Sequence, residues 1–271
     1  MNGLRTGGVR RKIVGPEYPG RRHYGNDPQH LFQRVVNRYS TTGVGVSRIK
    51  QIDELRAAFP ADASVLVTGT CPETVGSLHH ELLCSAVDDD EGAVVVTTED
   101  TADGVRRRFD RSRRFASTSG LAVVDETPKD RRHAEPDRNV WKTSSPVDFS
   151  GAMLALRRGY ESLAVEYDTV HLLFDTLTTP LVRADSSTLM RFAHQVMLEG
   201  GSTAGLQLFP VFTNVTATSD VTKLKHLSEG MIEVRKRGGK RQVRLRGSPE
   251  TPAEWFDLAE YDSAFDIRGF V

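Results

Sequence analysis

From residue 63 onward the chain alternates between two hydrophobic patterns. Short continuous apolar runs at 65–68, 93–97, 121–124, 170–174 and 206–212 are rich in Val, Leu and Ile or Phe. Runs of that length mark strands buried on both faces. Between them, 77–87, 101–115, 149–165, 186–198 and 221–227 space their apolar residues for a helix, most clearly in the stripe Met153, Leu154, Leu156, Tyr160, Leu163 and Ala164. Strands alternating with helices predict an α/β fold with a mostly parallel sheet. Near the end, 231–235 and 242–246 flank Gly238-Gly239, the turn chemistry of an antiparallel hairpin. Helical spacing also occurs upstream, at 29–39 and 51–59. A short strand is expected at 139–142. The charged stretch 125–137, with Pro128 and Pro136, reads as a surface loop.

Charge adds little for the whole chain and more for its parts. Thirty-six cationic residues face 36 acidic ones in 271, so no global field announces a polyanionic partner. Residues 1–40, however, carry seven arginines and Lys12 against Glu17 and Asp27. This divides the chain into a basic, partly disordered extension with short helices (1–60), a folded domain (61–250) and a polar tail (251–271). The extension is either a solvated tail or a basic arm for nucleic acid or a protein partner. No apolar run reaches the length of a membrane span or signal sequence, and only Cys71 and Cys84 occur, which together predict a soluble, cytoplasmic protein without a disulfide framework. His79, His80 and the two cysteines match the spacing of no closed zinc site.

The chemistry gathers at strand ends. Ser64 to Ser77 reads as strand, turn and helix start, in the shape of a phosphate-binding loop. Such a loop, G-x-x-x-x-G-K-[ST], cradles phosphates with backbone N–H groups and adds a lysine. Counted from Gly69, the second glycine falls at Thr74 and the lysine at Val75; Gly76-Ser77 closes the motif only in a loop two residues longer. Glu99-Asp100 follow the second strand and Asp175 follows the run at 170–174. A carboxylate there can hold Mg²⁺ through water while a glutamate activates the attacking water. Each has a plainer reading: Asp175 as a turn cap, Glu99-Asp100 as the acidic start of a helix, Arg244 and Arg246 as a charged edge strand.

Taken in order, these segments resemble the RecA-superfamily ATPases related to KaiC, in particular a KaiC-like group from halophilic archaea. The resemblance spans about 63–247 and rests on Ala93-Val94-Val95-Val96-Thr97-Thr98-Glu99-Asp100, on Leu172-Leu173-Phe174-Asp175-Thr176-Leu177-Thr178 and on Val243-Arg244-Leu245-Arg246-Gly247-Ser248. It implies a RecA-like sheet with a C-terminal β-hairpin and ATP with Mg²⁺ as cofactors. It further implies Gly69, Thr74, Gly76, Ser77, Asp175, Arg244 and Arg246 at the nucleotide, Asp175 on the metal through water, and Glu99 and Asp100 as the catalytic pair. Hairpin cations reaching a neighbouring subunit imply self-association. The departure is the missing lysine, a degenerate Walker A loop. Three functions follow: a non-hydrolysing regulatory or assembly module; an ATPase using a substitute cation such as Lys142, Arg244 or Arg246; or a nucleic-acid binder using residues 1–40 and the 235–246 hairpin.

Overall fold

Nine strands form one sheet in the order β4-β3-β2-β5-β6-β1-β7-β8-β9. They are β1 (Ser64–Gly69), β2 (Gly92–Thr97), β3 (Leu121–Asp125), β4 (Val140–Lys142), β5 (Val170–Phe174), β6 (Ala204–Phe212), β7 (Gly230–Arg237), β8 (Lys240–Arg246) and β9 (Phe256–Leu258). The computed structural model describes residues 52–87, 90–110, 120–127, 139–199, 201–246 and 254–258. The basic segment 1–40 and the helix expected at 29–39 lie outside the described residues. The first seven strands in the sheet order are parallel; β8 and β9 extend it antiparallel.

β1, β2, β3 and β5 are buried at every position, as their continuous apolar runs require. Alternate side chains feed two cores. Val65, Val67, Ala93 and Val95 face α1 (Ile52–Arg56), α2 (Pro72–Ala86) and α3 (Ala102–Asp110), whereas Leu66, Val94 and Val96 face α4 (Phe149–Leu163), α6 (Ser186–Leu198) and α7 (Thr218–Leu227). A short α5 (Thr178–Arg183) follows β5. Carboxylates start two of these helices: Asp148 accepts from Gly151 N–H and Asp185 from Thr188 N–H, both at 3.0 Å. Gly238 and Gly239, at φ +58° and +78°, supply the left-handed turn between β7 and β8.

The structure differs from the sequence reading in four places. α2 begins at Pro72, five residues ahead of the expected 77, because proline's fixed φ suits a first helical turn. α5 has too few apolar residues to show a period. β9 lies in the segment read as a tail and joins the sheet by burying Phe256 and Leu258. Asp125 closes β3, and both it and Glu126 are buried, where a surface loop was expected. No helix of the described residues is long and apolar enough to cross a membrane.

Candidate functional site

Parallel strands deliver their carboxyl ends to one edge, where α/β proteins place their ligands. At that edge the ends of β1, β2, β3 and β5 bring Gly69, Glu99, Asp125, Glu126 and Asp175.

Asp175 is the hub. Although the residue is partly exposed, its carboxylate is enclosed by donors from the β2–α3 connection. Oδ2 accepts from Thr98 N–H at 2.7 Å and Glu99 N–H at 2.9 Å, and Oδ1 accepts from Thr176 N–H at 2.6 Å and the Thr98 hydroxyl at 3.0 Å. The Thr97 hydroxyl lies 2.9 Å from Oδ2 and 2.8 Å from the Asp100 carbonyl, so its one proton serves either. Burial raises the Asp175 carboxyl above its usual range, and the hydrogen bonds oppose that rise.

Asp100 turns away from this centre. Its Oδ1 accepts from Thr101 N–H at 2.8 Å, and its Oδ2 meets the Arg108 guanidinium at 2.9 Å. Gly104 makes room, since a Cβ there would sit 2.0 Å from Asp100 Oδ1. Asp100 therefore anchors the start of α3. Glu99 is exposed; desolvation and then the charge of Asp175 raise its carboxyl, and the Thr179 hydroxyl lies 3.4 Å from it.

Sequence reading missed two members of this edge. Glu126 is 3% exposed and pushed up to about 8, first by burial and then by Asp175, Asp148 and Asp125. Arg108, the last of three consecutive arginines, is mostly buried, and its charge acts on Asp100, Asp175 and Glu99. The signal available for Glu126 was its place after a strand, masked by the charges that follow it. Among the described residues no group of three or more His, Cys, Asp or Glu side chains is arranged to hold a metal ion.

The β1 end is different. Only Thr70 and Cys71 connect β1 to α2. A Cβ at Gly69 would meet Val234 O at 2.6 Å and Val75 Cγ2 at 2.8 Å, so this glycine serves close packing between β1, β7 and α2. Thr74, Gly76 and Ser77 all lie inside α2: Thr74 is buried, Gly76 has open space where a Cβ would go, and the Ser77 hydroxyl donates to Thr74 O at 3.3 Å. Pro72 removes one N–H at the helix start, and exposed Glu73 puts its own negative charge there.

Further along α2, His79 and His80 are each 4% exposed. Burial, then Arg108, lowers His79 to about 3 and His80 well below its usual value, so both are neutral. His80 packs its ring on Phe109 at 4.6 Å and lies 3.7 Å from Cys84 Sγ. Cys71 stands at the other end of the helix. Lys142, on edge strand β4, is five strands from β1, about 24 Å at 4.8 Å per strand.

The hairpin cations have partners within the chain. Arg244 and Arg246 face the same side and share Glu233 Oε2, Arg246 at 3.0 Å. Arg241, on the opposite side, is buried in a two-pronged pair with Glu81 of α2 at 2.9 and 2.7 Å.

Fold and edge define a RecA-like α/β domain. Over 77% of this chain and 90% of the other, it is similar to the crystal structure of the KaiC-like protein PH0186 from the hyperthermophilic archaeon Pyrococcus horikoshii OT3, with a TM-score of 0.52 and 16% identity. At that identity the likeness shows the fold. Residues 63–234 match the model of a family of unknown function, DUF7504, and the chain belongs to that family. No curated protein matches it.

Proposed function

We propose that this chain is a RecA/KaiC-like domain with a degenerate Walker A loop, which does not hydrolyse ATP and acts as a regulatory or assembly module. The observation that carries this reading is the two-residue connection Thr70-Cys71 between β1 and α2. A phosphate-binding loop needs several consecutive backbone N–H groups arched around the phosphates, with a lysine at the helix start. Here the helix starts at once, with a proline and a glutamate in its first turn, and the motif's other residues sit within the helix. Val75 stands where the lysine would.

The residues do not fit a Mg²⁺-nucleotide on the β5 side either. Asp175, the candidate metal carboxylate, already takes four donors and shares a fifth. Arg108 supplies the counter-charge at this edge from within the protein. Glu99 is the one candidate catalytic carboxylate still open to solvent, and Asp100 is committed to Arg108. Of the substitute cations, Lys142 is out of reach within the chain, and Arg244 and Arg246 alternate with core residues Val243 and Leu245 and so point to the sheet face away from α2. Neither Cys71 nor Cys84 is in a disulfide, which suits a reducing cytoplasm.

Equilibrium titration with a fluorescent ATP analogue, with and without Mg²⁺, tests the reading. The expected result is no saturable binding and no phosphate release at any protein concentration. Tight binding with hydrolysis that Asp175→Asn abolishes would overturn it. Turnover that climbs with protein concentration would instead establish the ATPase with a cation donated between copies.

A further inference from the structure

β7, β8 and β9 carry one face that, beyond Met231 opposite Arg246, belongs to neither apolar core. Directly opposed residues share a face, so the pairs Glu233–Arg244, Arg235–Gln242 and Arg237–Lys240, with Asp257 opposite Gln242 and Arg246 two residues beyond Arg244, form one surface. From Arg246 to Lys240 it runs about 20 Å along β8.

Its charge does not balance. Arg235, Arg237, Lys240, Arg244 and Arg246 face only Glu233 and Asp257, a surplus of three positive charges among the described residues. One Glu233 oxygen serves two guanidiniums. Asp257 is taken by Lys240 at 3.0 Å and by Gln242 Nε2 at 2.7 Å. Arg237 projects exposed from the hairpin tip.

The structure also brings an aromatic onto this surface, which the hairpin's own sequence lacks. The run into β9 lays Trp255 against the cations, with Arg235 Cζ at 3.9 Å and Arg244 Cζ at 4.5 Å from the ring centroid, and the indole stays partly exposed. Indole and guanidinium planes beside unbalanced positive charge form a surface on which unpaired bases stack while their phosphates are neutralised. A duplex would need an element that projects into a groove, and a flat sheet face offers none. An acidic peptide would use the charge and leave the planar groups idle.

We propose that the Arg235–Arg246 face of the antiparallel extension binds single-stranded nucleic acid, with phosphates on Arg237, Arg244 and Arg246 and a base stacked at Trp255. The site is separate from the Gly69 edge and stands whether or not a nucleotide binds there.

Fluorescence anisotropy of the full chain with a labelled homopolymeric oligonucleotide of about 20 residues tests it. The expected plot of log affinity against log salt falls with a slope of about −0.7 per neutralised phosphate. Arg237→Gln and Arg246→Gln each flatten that slope by about 0.7, and Trp255→Leu weakens binding about tenfold, with circular dichroism unchanged in the two arginine variants. Absence of binding at low salt overturns the proposal. So does binding that all three variants retain, which would assign the affinity to another segment such as 1–40. A labelled polyglutamate peptide that binds as tightly, indifferent to Trp255→Leu, would assign the face to an acidic protein instead.

Discussion

The carboxyl edge of the parallel strands and the antiparallel extension both gather charge, and they dispose of it in opposite ways. At the edge, Asp175 is enclosed by N–H and hydroxyl donors, Asp100 is folded back onto α3, and Arg108 is drawn in among them. Low dielectric makes every unpaired charge costly there, so Asp175 and Asp100 are matched within the chain, and buried Glu126, pushed up to about 8, meets the cost by keeping its proton. On the extension, one side buries a single matched pair, Arg241 with Glu81, while the other leaves five cations to two carboxylates in contact with water. Exposure makes a surplus cheap to keep. The difference teaches where to look for a partner: a charge cluster that is satisfied internally is architecture, and one that is left unbalanced can recruit.

Glu126 gives the largest expected way to break this contrast. Its carboxyl lies at about 8 in the folded chain against 4.5 as the reference. An acid raised in the folded state contributes its stability in full below the unfolded value and loses it as pH climbs to the folded one. The linkage amounts to about 5 kcal/mol at most across pH 4.5 to 8. Urea unfolding of the wild type should therefore weaken over that window, and Glu126→Gln should remove most of the loss. A flat profile in the wild type would mean that Glu126 is solvated and that the edge is open to ligands after all.

Arg241→Leu comes next. It strands Glu81, 7% exposed, without its two-pronged partner, and should cost about 3–5 kcal/mol by chemical denaturation. Adding Glu81→Met should recover most of that, since replacing both ends of a buried pair by apolar groups is close to neutral. Failure of the double variant to recover would show that the pair fixes the hairpin against α2 in a way that packing alone does not.

What could be read in advance followed the range of each interaction. β2, β3 and β5 announced themselves because a strand buried on both faces must be continuously apolar. The turn at Gly238-Gly239 was equally local. The role of Asp175 was hidden: all of its donors but Thr176 lie 76 to 78 residues away, and a carboxylate after a strand looks the same whether it awaits a metal or holds a loop. Glu81 and Arg241 are 160 residues apart, and neither has a local reason to be buried. Nothing local marks Trp255, which lies over two arginines only because β9 pairs with β8. The missing lysine at Val75 was visible in the sequence; that the loop itself shrinks to two residues was not, because the helix start depends on how Val75 packs beside Gly69.

Gly76 carries the smallest effect and separates the two readings of that edge most cleanly. In a phosphate-binding loop a glycine at this point admits the backbone close to the ligand or takes a conformation closed to other residues, and alanine would be harmful. In this structure Gly76 is in the second turn of α2, without positive φ, and nothing lies within 4 Å of an added Cβ. Alanine should then only reduce the freedom of the unfolded chain and favour the helix, stabilising the fold by about 0.5–1 kcal/mol. Gly104→Ala is the matched control from the same kind of helix, since its Cβ would strike Asp100 and loosen Arg108, so it should destabilise. Thermal unfolding of the two variants reads the sign directly: if Gly76→Ala lowers the midpoint as Gly104→Ala does, the residues from Gly69 to Ser77 are a loop rather than a helix start, and the Gly69 edge regains its claim to a phosphate.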